Sequence, residues 1–306
     1  MKNPHQFSLG INTGFAVNRY SEHEEWIRIV GDSLGLRYAQ ITADMLNVNL
    51  PADIVISDTK VILKNCKKYN VKINSSFTGA FTRVNHLAHP NPEIRKYWIL
   101  WFKKFVDLSV DLGCTSMGSH FGIFTKFDET SLSRRNERRR QNIEGWHQIS
   151  EHAKVCGLDF LSWEPMSISR EQGETLAETR CLQEDVNQHA PLPFKICLDV
   201  DHGDVMSPNP DDTDPYAWLS TFAKDSPLIH LKQSSSNKGG HWPFTEAHNR
   251  DGRIVPRKVL DVLVANGSPG AELILELSFR EREPADSTVV EALKESVAYW
   301  RKEVCQ

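Results

Sequence analysis

Eight short apolar segments alternate with helix-like segments along the whole of this 306-residue sequence. Each apolar segment has the length of a buried strand, and the segments between them place apolar residues at helical spacing. The eight strand candidates are FSLGINTG, YAQITAD, VKINSSFTG, CTSMGSHFG, LDFLSWEPM, FKICLDVDH, LIHLKQ and AELILELS. Eight strand–helix units predict a (β/α)8 barrel, the TIM barrel, formed by residues 1–306 as a single domain.

An open, doubly wound α/β sheet is the alternative that the same alternation allows. Its nucleotide-binding form requires a glycine-rich turn after the first strand. Here the first strand continues into GINTGFAVNRY, which lacks the G-x-G-x-x-G spacing. We therefore favour the barrel. Residues 233–252 form the longest loop-like segment, and long ordered loops in compact domains are usually functional.

Two helix start signals stand out in the sequence. Ser21 and Glu24 form an S-x-x-E capping box ahead of WIRIVGDSLG. Asn91 followed by Pro92 predicts the start of a long amphipathic helix, with proline in its first turn. Gly113 is expected to end that helix.

Composition and charge narrow the classes of function. The formal net charge of −4 and the isoelectric point near 6.3 argue against a nucleic-acid partner. The N-terminal segment resembles no signal peptide, and no apolar run approaches the length of a membrane span. Six scattered cysteines without a C-x-x-C pair indicate reduced thiols in a cytoplasmic protein. The aromatic residues on helix faces are compatible with a homo-oligomer.

Potential metal ligands occur at the ends of the last four predicted strands. Glu164 ends the fifth strand, Asp199 ends the sixth, His230 lies in the seventh and Glu276 ends the eighth. The carboxyl ends of barrel strands meet at one mouth, where the active sites of these barrels lie. Asp201 is a rival to Asp199, because residues two apart share a strand face.

Carboxylates that converge in one small space repel each other unless a cation is present. One imidazole and three carboxylates form a mostly oxygen-based ligand set, which favours Mn²⁺ or Mg²⁺ and can accept Co²⁺. Zinc prefers more nitrogen and sulfur. We expect one divalent metal per chain, with Mn²⁺ favoured. The alternative is that a separate salt bridge or helix N-terminus satisfies each group.

The same residues resemble a known family. The WEP, LD-x-x-H, strand-seven histidine and strand-eight LE patterns resemble the xylose-isomerase-like sugar isomerases and epimerases. The longer strings GINTGFAVNRY, FTGAFTRVNH, MGSHFGI, WEPMSISREQG, CLDVDHGD, DDTDPYAWL and HLKQSS…GHWPF are similar to the erythrulose phosphate 3-epimerases of erythritol breakdown. The resemblance implies a xylose-isomerase-like barrel whose metal ligands are Glu164, Asp199, His230 and Glu276.

The implied reaction inverts C3, next to the ketone of a four-carbon sugar phosphate, through an enediolate. Inversion requires one base on each face of the carbon, and Glu164 and Glu276 are the candidates. His202, just beyond the sixth strand, is predicted to hydrogen-bond a substrate oxygen. His120, at the end of the fourth strand, is a second candidate for a substrate contact.

A phosphate group requires cations and hydrogen-bond donors. Barrels often bind phosphate beside strands seven and eight, and LKQSSSNKGGHWPF follows strand seven. The candidates in this segment and in SISREQ are Lys232, Ser234, Ser235, Lys238 and Arg170. A flexible polar loop without a ligand is the alternative.

Three other functions remain open on the sequence. An aldose–ketose isomerase would use the same metal site but shift the carbonyl. Some phosphodiester hydrolases share this barrel, but they use several zinc ions and more histidine ligands. A non-catalytic sugar-binding barrel would be expected to lack at least one of the four ligands, and none is missing.

Overall fold

Eight parallel strands close into a barrel in the computed structural model, which confirms the predicted fold. The structure describes residues 7–235 and 238–304, without the side chains of residues 238 and 239. Each barrel strand lies within one of the eight predicted segments. The barrel strands are β1 (Ser8–Asn12), β2 (Tyr38–Thr42), β3 (Lys72–Phe77), β4 (Ser116–His120), β5 (Phe160–Glu164), β6 (Phe194–Asp199), β7 (Leu228–Leu231) and β10 (Glu272–Leu275). Neighbours around the barrel follow chain order, and β10 pairs with β1 to close it.

Helices connect the strands and cover the outside of the barrel. They are α1 (His23–Arg28), α2 (Ala52–Lys68), α3 (Pro92–Asp111), α4 (Lys126–Glu129), α5 (Leu132–Cys156), α6 (Leu176–Asn187), α7 (Pro215–Phe222), α8 (Glu246–Asn249), α9 (Pro256–Ala265) and α10 (Ala285–Val304). Within the described part of the chain, none of these helices combines the length and apolar character that a membrane crossing requires.

One of the two predicted helix starts is confirmed and the other is wrong. The side chain of Asn91 accepts a hydrogen bond from the backbone N–H of Glu93, with proline in the first turn of α3. By contrast, α1 starts one residue after Glu22, and no side chain caps it. Glu24 lies 2.6 Å from the Lys68 ammonium, and this ion pair replaces the predicted bond to Ser21.

Alternating side chains separate the inside of the barrel from the layer under the helices. In β5, Trp163 points outward and its indole N–H donates to Gln183 of α6, while Glu164 points toward the mouth. Such alternation is the normal behaviour of successive side chains along a strand. The core between strands and helices contains five fully buried tryptophans: Trp26, Trp146, Trp163, Trp218 and Trp300.

The predicted loop at residues 233–252 contains regular structure. A short antiparallel hairpin is formed by β8 (Gln233–Ser235) and β9 (Lys238–Trp242), and α8 follows it. Asp201 holds the hairpin: its carboxylate accepts hydrogen bonds from the Gly240 backbone N–H at 3.0 Å and from Arg253 at 2.8 Å. Arg253 also donates to the Ser234 hydroxyl at 3.0 Å. The hairpin is thereby fixed beside the carboxyl end of β7.

Glu272, at the start of β10, is an acid buried inside the barrel away from the mouth. Asn74 donates a hydrogen bond to its Oε2, while Oε1 has no hydrogen-bond partner among the described residues. Burial raises the pKa of Glu272 to about 7, although Asn74 and Lys72 oppose the shift. The folded protein therefore keeps this carboxyl protonated over a pH range in which the unfolded chain ionises it.

This raised pKa makes the protein less stable as pH rises. The unfolded carboxyl ionises above about pH 4.3, so the folded state holds the extra proton between that pH and about 7. Glu272→Gln should therefore leave stability unchanged near pH 4 and raise it at pH 8 by up to about 3 kcal/mol. Urea unfolding of both proteins between pH 4 and 8 measures the difference. A difference that does not grow with pH would contradict the assignment.

Candidate metal centre

Strand register brings the four predicted ligands to one level at the barrel mouth. Asp199 of β6 is opposite His230 of β7, and His230 is opposite Ile274 of β10. Glu276 follows β10 directly, rather than ending it as predicted, and its N–H donates to Leu231 at 2.9 Å. Because these strands and β5 are neighbours in the barrel, their ends converge.

Glu164, Asp199, His230 and Glu276 each contribute one donor atom to a cluster in which all four atoms lie within 4.8 Å of one another. His230 Nδ1 is 3.0 Å from Glu164 Oε1 and 3.5 Å from Glu276 Oε2. Asp201, the rival to Asp199, lies outside this cluster and supports the hairpin instead. The geometry therefore distinguishes two carboxylates that the sequence left equivalent.

The orientation of the His230 ring is set by a chain of polar side chains inside the barrel. His230 Nε2 lies 2.8 Å from Gln40 Oε1, which also accepts a hydrogen bond from Asn12. The Gln40 amide nitrogen donates to Ser75, so its oxygen must face the imidazole. Nε2 is therefore the ring nitrogen that carries a proton, and Nδ1 is the one directed at the carboxylates.

Lys232 lies in the middle of the cluster as a fully buried cation. Its Nζ is 2.6 Å from Asp199 Oδ2 and 4.0 Å from Glu276 Oε2. The same ammonium lies 3.3 Å from His202 Nε2 and 3.3 Å from His241 Nε2. A buried charge is tolerated only when it is paired. Lys232 therefore neutralises part of the negative charge of the three carboxylates.

The surrounding cations keep two of the carboxyl groups ionised. Burial by itself would raise the pKa of Glu276, but His230, His241 and Lys232 hold that pKa well below its ordinary value. Burial also opposes ionisation of Asp199, yet His202 and Lys232 lower its pKa. Both groups are therefore carboxylates at neutral pH, as metal ligands and bases must be.

The residues at this site fit a divalent cation. Glu276 Oε2 is a buried oxygen without a hydrogen-bond partner among the described residues, and the buried Asp199 Oδ2 is paired with the Lys232 ammonium. Burial lowers the pKa of His230, but Cys197, Glu276 and Glu164 raise it well above its ordinary value, so the ring binds an additional proton. A metal ion would take the place of that proton at Nδ1. Three carboxylates and one imidazole suit a cation that prefers oxygen ligands.

A cleft of about 460 Å³ opens above the cluster, within the usual size of small-molecule sites. Four of the predicted catalytic or substrate-contacting residues line it: Glu164, Glu276, His202 and His120. Asp199 and His230 are fully buried beneath its floor. The structure thus places two of the four candidate ligands in contact with the cleft and two behind them.

The two predicted substrate-contact histidines have different surroundings. His202 Nδ1 lies 2.8 Å from the Pro165 carbonyl, and its Nε2 faces Lys232 and the cluster. His120 is buried, and its Nε2 lies 3.1 Å from the Val84 carbonyl. Burial lowers the pKa of His120 to about 4, so its ring is neutral. His202 is therefore the histidine that is better placed to meet a polar ligand.

Most of the predicted phosphate contacts do not line this cleft. Arg170 donates to the Phe124 carbonyl at 3.1 Å, and Ser234 is buried against Arg253. Ser235 is half-buried in β8, outside the cleft. The ammonium of Lys232 points into the metal-ligand cluster. The side chain of Lys238 lies outside the described residues.

Several residues of the site were not predicted from the sequence. Gln40 orients His230, and its position in the middle of a barrel strand is a detectable signal, because a buried amide there requires partners. His241, in β9, lies 3.5 Å from Glu276 and lines the cleft, but only the hairpin brings it there. Arg19 and Arg83 also line the cleft, although they are far in sequence from the four candidate ligands.

Comparisons with known proteins agree with this architecture. Residues 32–303 match the sequence model of a family described as Xylose isomerase-like TIM barrel. The chain is 43% identical over 294 residues to the D-erythrulose 1-phosphate 3-epimerase of Brucella abortus (strain 2308). The aligned region covers 96% of this chain and 95% of that protein.

Solved structures share the fold at lower identity. A putative xylose isomerase from Rhodospirillum rubrum has a TM-score of 0.87 and 22% identity, covering 97% of this chain and 99% of that one. D-psicose 3-epimerase from Clostridium cellulolyticum H10, in complex with D-tagatose, has a TM-score of 0.70 and 15% identity, with coverage of 97% and 99%.

Loss of the Gln40 carbonyl should weaken metal binding by freeing the His230 ring. We expect Gln40→Met to raise the dissociation constant for Mn²⁺ by roughly 10- to 100-fold, as for other groups that orient metal ligands. Titration calorimetry on the metal-stripped protein measures this. Gln183→Met is the matched control, because it removes the hydrogen bond to Trp163 outside the barrel. Equal affinity in the two variants would refute the role of Gln40.

Proposed function

Because this chain belongs to the family of xylose isomerase-like TIM barrels, we propose that it is a divalent-metal-dependent epimerase that inverts C3 of an erythrulose phosphate. The 43% identity to a D-erythrulose 1-phosphate 3-epimerase supports this substrate. Mn²⁺ is the proposed metal, held by Glu164, Asp199, His230 and Glu276. Erythritol breakdown in the cytoplasm is the proposed setting.

The positions of the two glutamates give the main support for this proposal. Glu164 and Glu276 line the cleft, whereas Asp199 and His230 lie beneath it. Their strands, β5 and β10, are separated by β6 and β7 around the mouth, so the carboxylates approach a bound ligand from different sides. Inversion of one carbon requires this arrangement of two bases.

A divalent metal held by Glu164, Asp199, His230 and Glu276 would supply Lewis acidity, which would polarise the substrate carbonyl and acidify the neighbouring C–H bond. One glutamate removes the C3 proton and leaves an enediolate. The conjugate acid of the other glutamate returns a proton to the opposite face of C3. In the reverse direction the two residues exchange roles. Lys232 and His241 hold Glu276 ionised so that it can act as the base.

His202 is the proposed hydrogen-bond partner of a substrate oxygen. Its imidazole lines the cleft, and its Nδ1 is anchored by the Pro165 carbonyl at 2.8 Å. This anchor fixes the ring so that Nε2 is directed at Lys232 and the cluster. His241, half-exposed on the other side of the cleft, is a further contact.

For the phosphate we propose Arg83. Its side chain is 56% exposed and lines the cleft, with one terminal nitrogen paired to Glu171 at 2.5 Å. Arg19 also lines the cleft, but its side chain is 9% exposed and binds Asp286 and the Phe279 carbonyl. A guanidinium with free donors suits a phosphate. Lys238 remains the alternative from the sequence.

Proton exchange in D₂O tests the reaction directly. The Mn²⁺-loaded protein should exchange the C3 proton of D-erythrulose 1-phosphate, as followed by NMR, and should convert it to the L enantiomer, as followed by the loss of optical rotation. Metal-stripped protein should do neither. Erythrulose 4-phosphate is a second probe: an aldose phosphate product would identify an aldose–ketose isomerase. No exchange in either substrate by metal-loaded protein would overturn the proposal.

The two bases can be tested separately. Glu164→Gln and Glu276→Gln should each lower kcat by roughly 100- to 10,000-fold, the usual contribution of a general base. Glu281→Gln is the matched control, because Glu281 also lines the cleft but accepts a hydrogen bond from Asn18 on the exposed rim, away from the cluster. Full activity in either of the first two variants would contradict the two-base mechanism.

The phosphate assignment predicts a selective loss. Arg83→Met should raise KM for erythrulose 1-phosphate by about 10- to 100-fold, the value of a charged hydrogen bond. KM for unphosphorylated erythrulose should not change. Lys238→Met tests the alternative in the same assay. If that variant shows the selective loss instead, the phosphate lies under the hairpin.

A further inference from the structure

A second group of potential metal ligands lies on the outside of the barrel, between α3 and α5. Asp107 of α3 faces His152 and Cys156 of α5, and one donor atom from each lies within 4.8 Å of the others. His152 and Cys156 are four residues apart and share one helix face. Asp111 lies four residues after Asp107 on the same face of α3.

The three donor atoms point at one location rather than forming a relay. His152 Nε2 lies 2.6 Å from Asp107 Oδ1 and 3.5 Å from Cys156 Sγ. Cys156 Sγ lies 3.5 Å from the same Asp107 oxygen. A Cys–His–Asp catalytic triad would use both ring nitrogens of the histidine, one for each partner. Here a single nitrogen faces both, which is the arrangement of a chelating site.

The separations suit a tetrahedral zinc ion. Bond lengths of about 2.3 Å to sulfur and 2.0–2.1 Å to nitrogen place those two ligands about 3.6 Å apart, close to the 3.5 Å observed. The 2.6 Å that separates Asp107 Oδ1 from His152 Nε2 is a hydrogen-bond distance. With an ion between them, these two atoms would lie about 3.3 Å apart. Asp107 is 53% exposed, so its side chain has room for this movement.

Helix electrostatics independently favour a cation here. Asp107 and Asp111 lie near the carboxyl end of α3, whose last turn has no basic residue. The partial negative charge of a helix C-terminus makes carboxylates unfavourable there. The ion pair that Asp107 forms within the described chain is with His152, and a divalent cation would offset both carboxylates.

We propose that Asp107, His152 and Cys156 bind one Zn²⁺ ion. Sulfur, nitrogen and oxygen ligands in this combination select zinc over manganese or magnesium. The thiol proton is released to solvent when the ion binds. The site is separate from the candidate active site: α3 and α5 end there just before β4 and β5 begin, at the end of the barrel opposite the mouth. Its role is to clamp the two helices together.

Co²⁺ distinguishes the two sites spectroscopically. The ligands at the mouth are oxygen and nitrogen, so only the outer site should give a thiolate-to-cobalt charge-transfer band in the near ultraviolet. Metal-stripped full-length protein should develop that band when it is titrated with Co²⁺ to two equivalents, enough to fill both sites. Cys156→Ser should abolish it, and His152→Ala should weaken Co²⁺ binding more than 10-fold, in line with loss of a ligand.

Two control variants make the test decisive. Cys181→Ser removes an exposed cysteine on α6, and Cys197→Ser removes the thiol near His230. Both should keep the band. Zn²⁺ should raise the Tm of the native protein more than that of Cys156→Ser, while epimerase turnover with Mn²⁺ is equal in both. A band that survives in Cys156→Ser, or the absence of any band in the native protein, would overturn the proposal.

Discussion

The repulsion between three carboxylates at one end of the barrel is the constraint on which the rest of this site depends. Glu164, Asp199 and Glu276 contribute donor atoms that lie within 4.8 Å of one another, mostly away from water. Such a cluster persists only if positive charge is built into it. The buried ammonium of Lys232 and the His230 ring provide part of that charge, and a divalent cation would provide the remainder.

The same constraint explains the residues around the cluster. Gln40 has to present its oxygen to His230 so that the other ring nitrogen faces the carboxylates. Asp201 and Arg253 fix the hairpin that brings His241 to within 3.5 Å of Glu276. Positive charge thus reaches the site from His230 of β7, from Lys232 just after β7 and from His241 of β9, while Gln40 of β2 orients the His230 ring. The carboxylates that face the cleft remain ionised and available as bases.

Much of the fold and part of the site could be predicted from sequence. Strand and helix patterns are local, so all eight barrel strands and the start of α3 at Asn91 were found. The capping box at Ser21 failed because Glu24 has a stronger partner in Lys68, which is distant in sequence. The hairpin within residues 233–252 was not predicted, because its short polar strands lack an alternation of apolar and polar residues.

Sequence patterns are sufficient to predict a barrel whose last four strands bring Glu164, Asp199, His230 and Glu276 to its mouth, with Asp201 as a rival to Asp199. These predictions follow from periodicity and from the common direction of parallel strands. The three-dimensional structure was required to exclude Asp201, to show that Lys232 is buried in the cluster, and to place His241 and Arg83 along the cleft. Those outcomes depend on register and on how loops return to the barrel, which local sequence patterns do not specify.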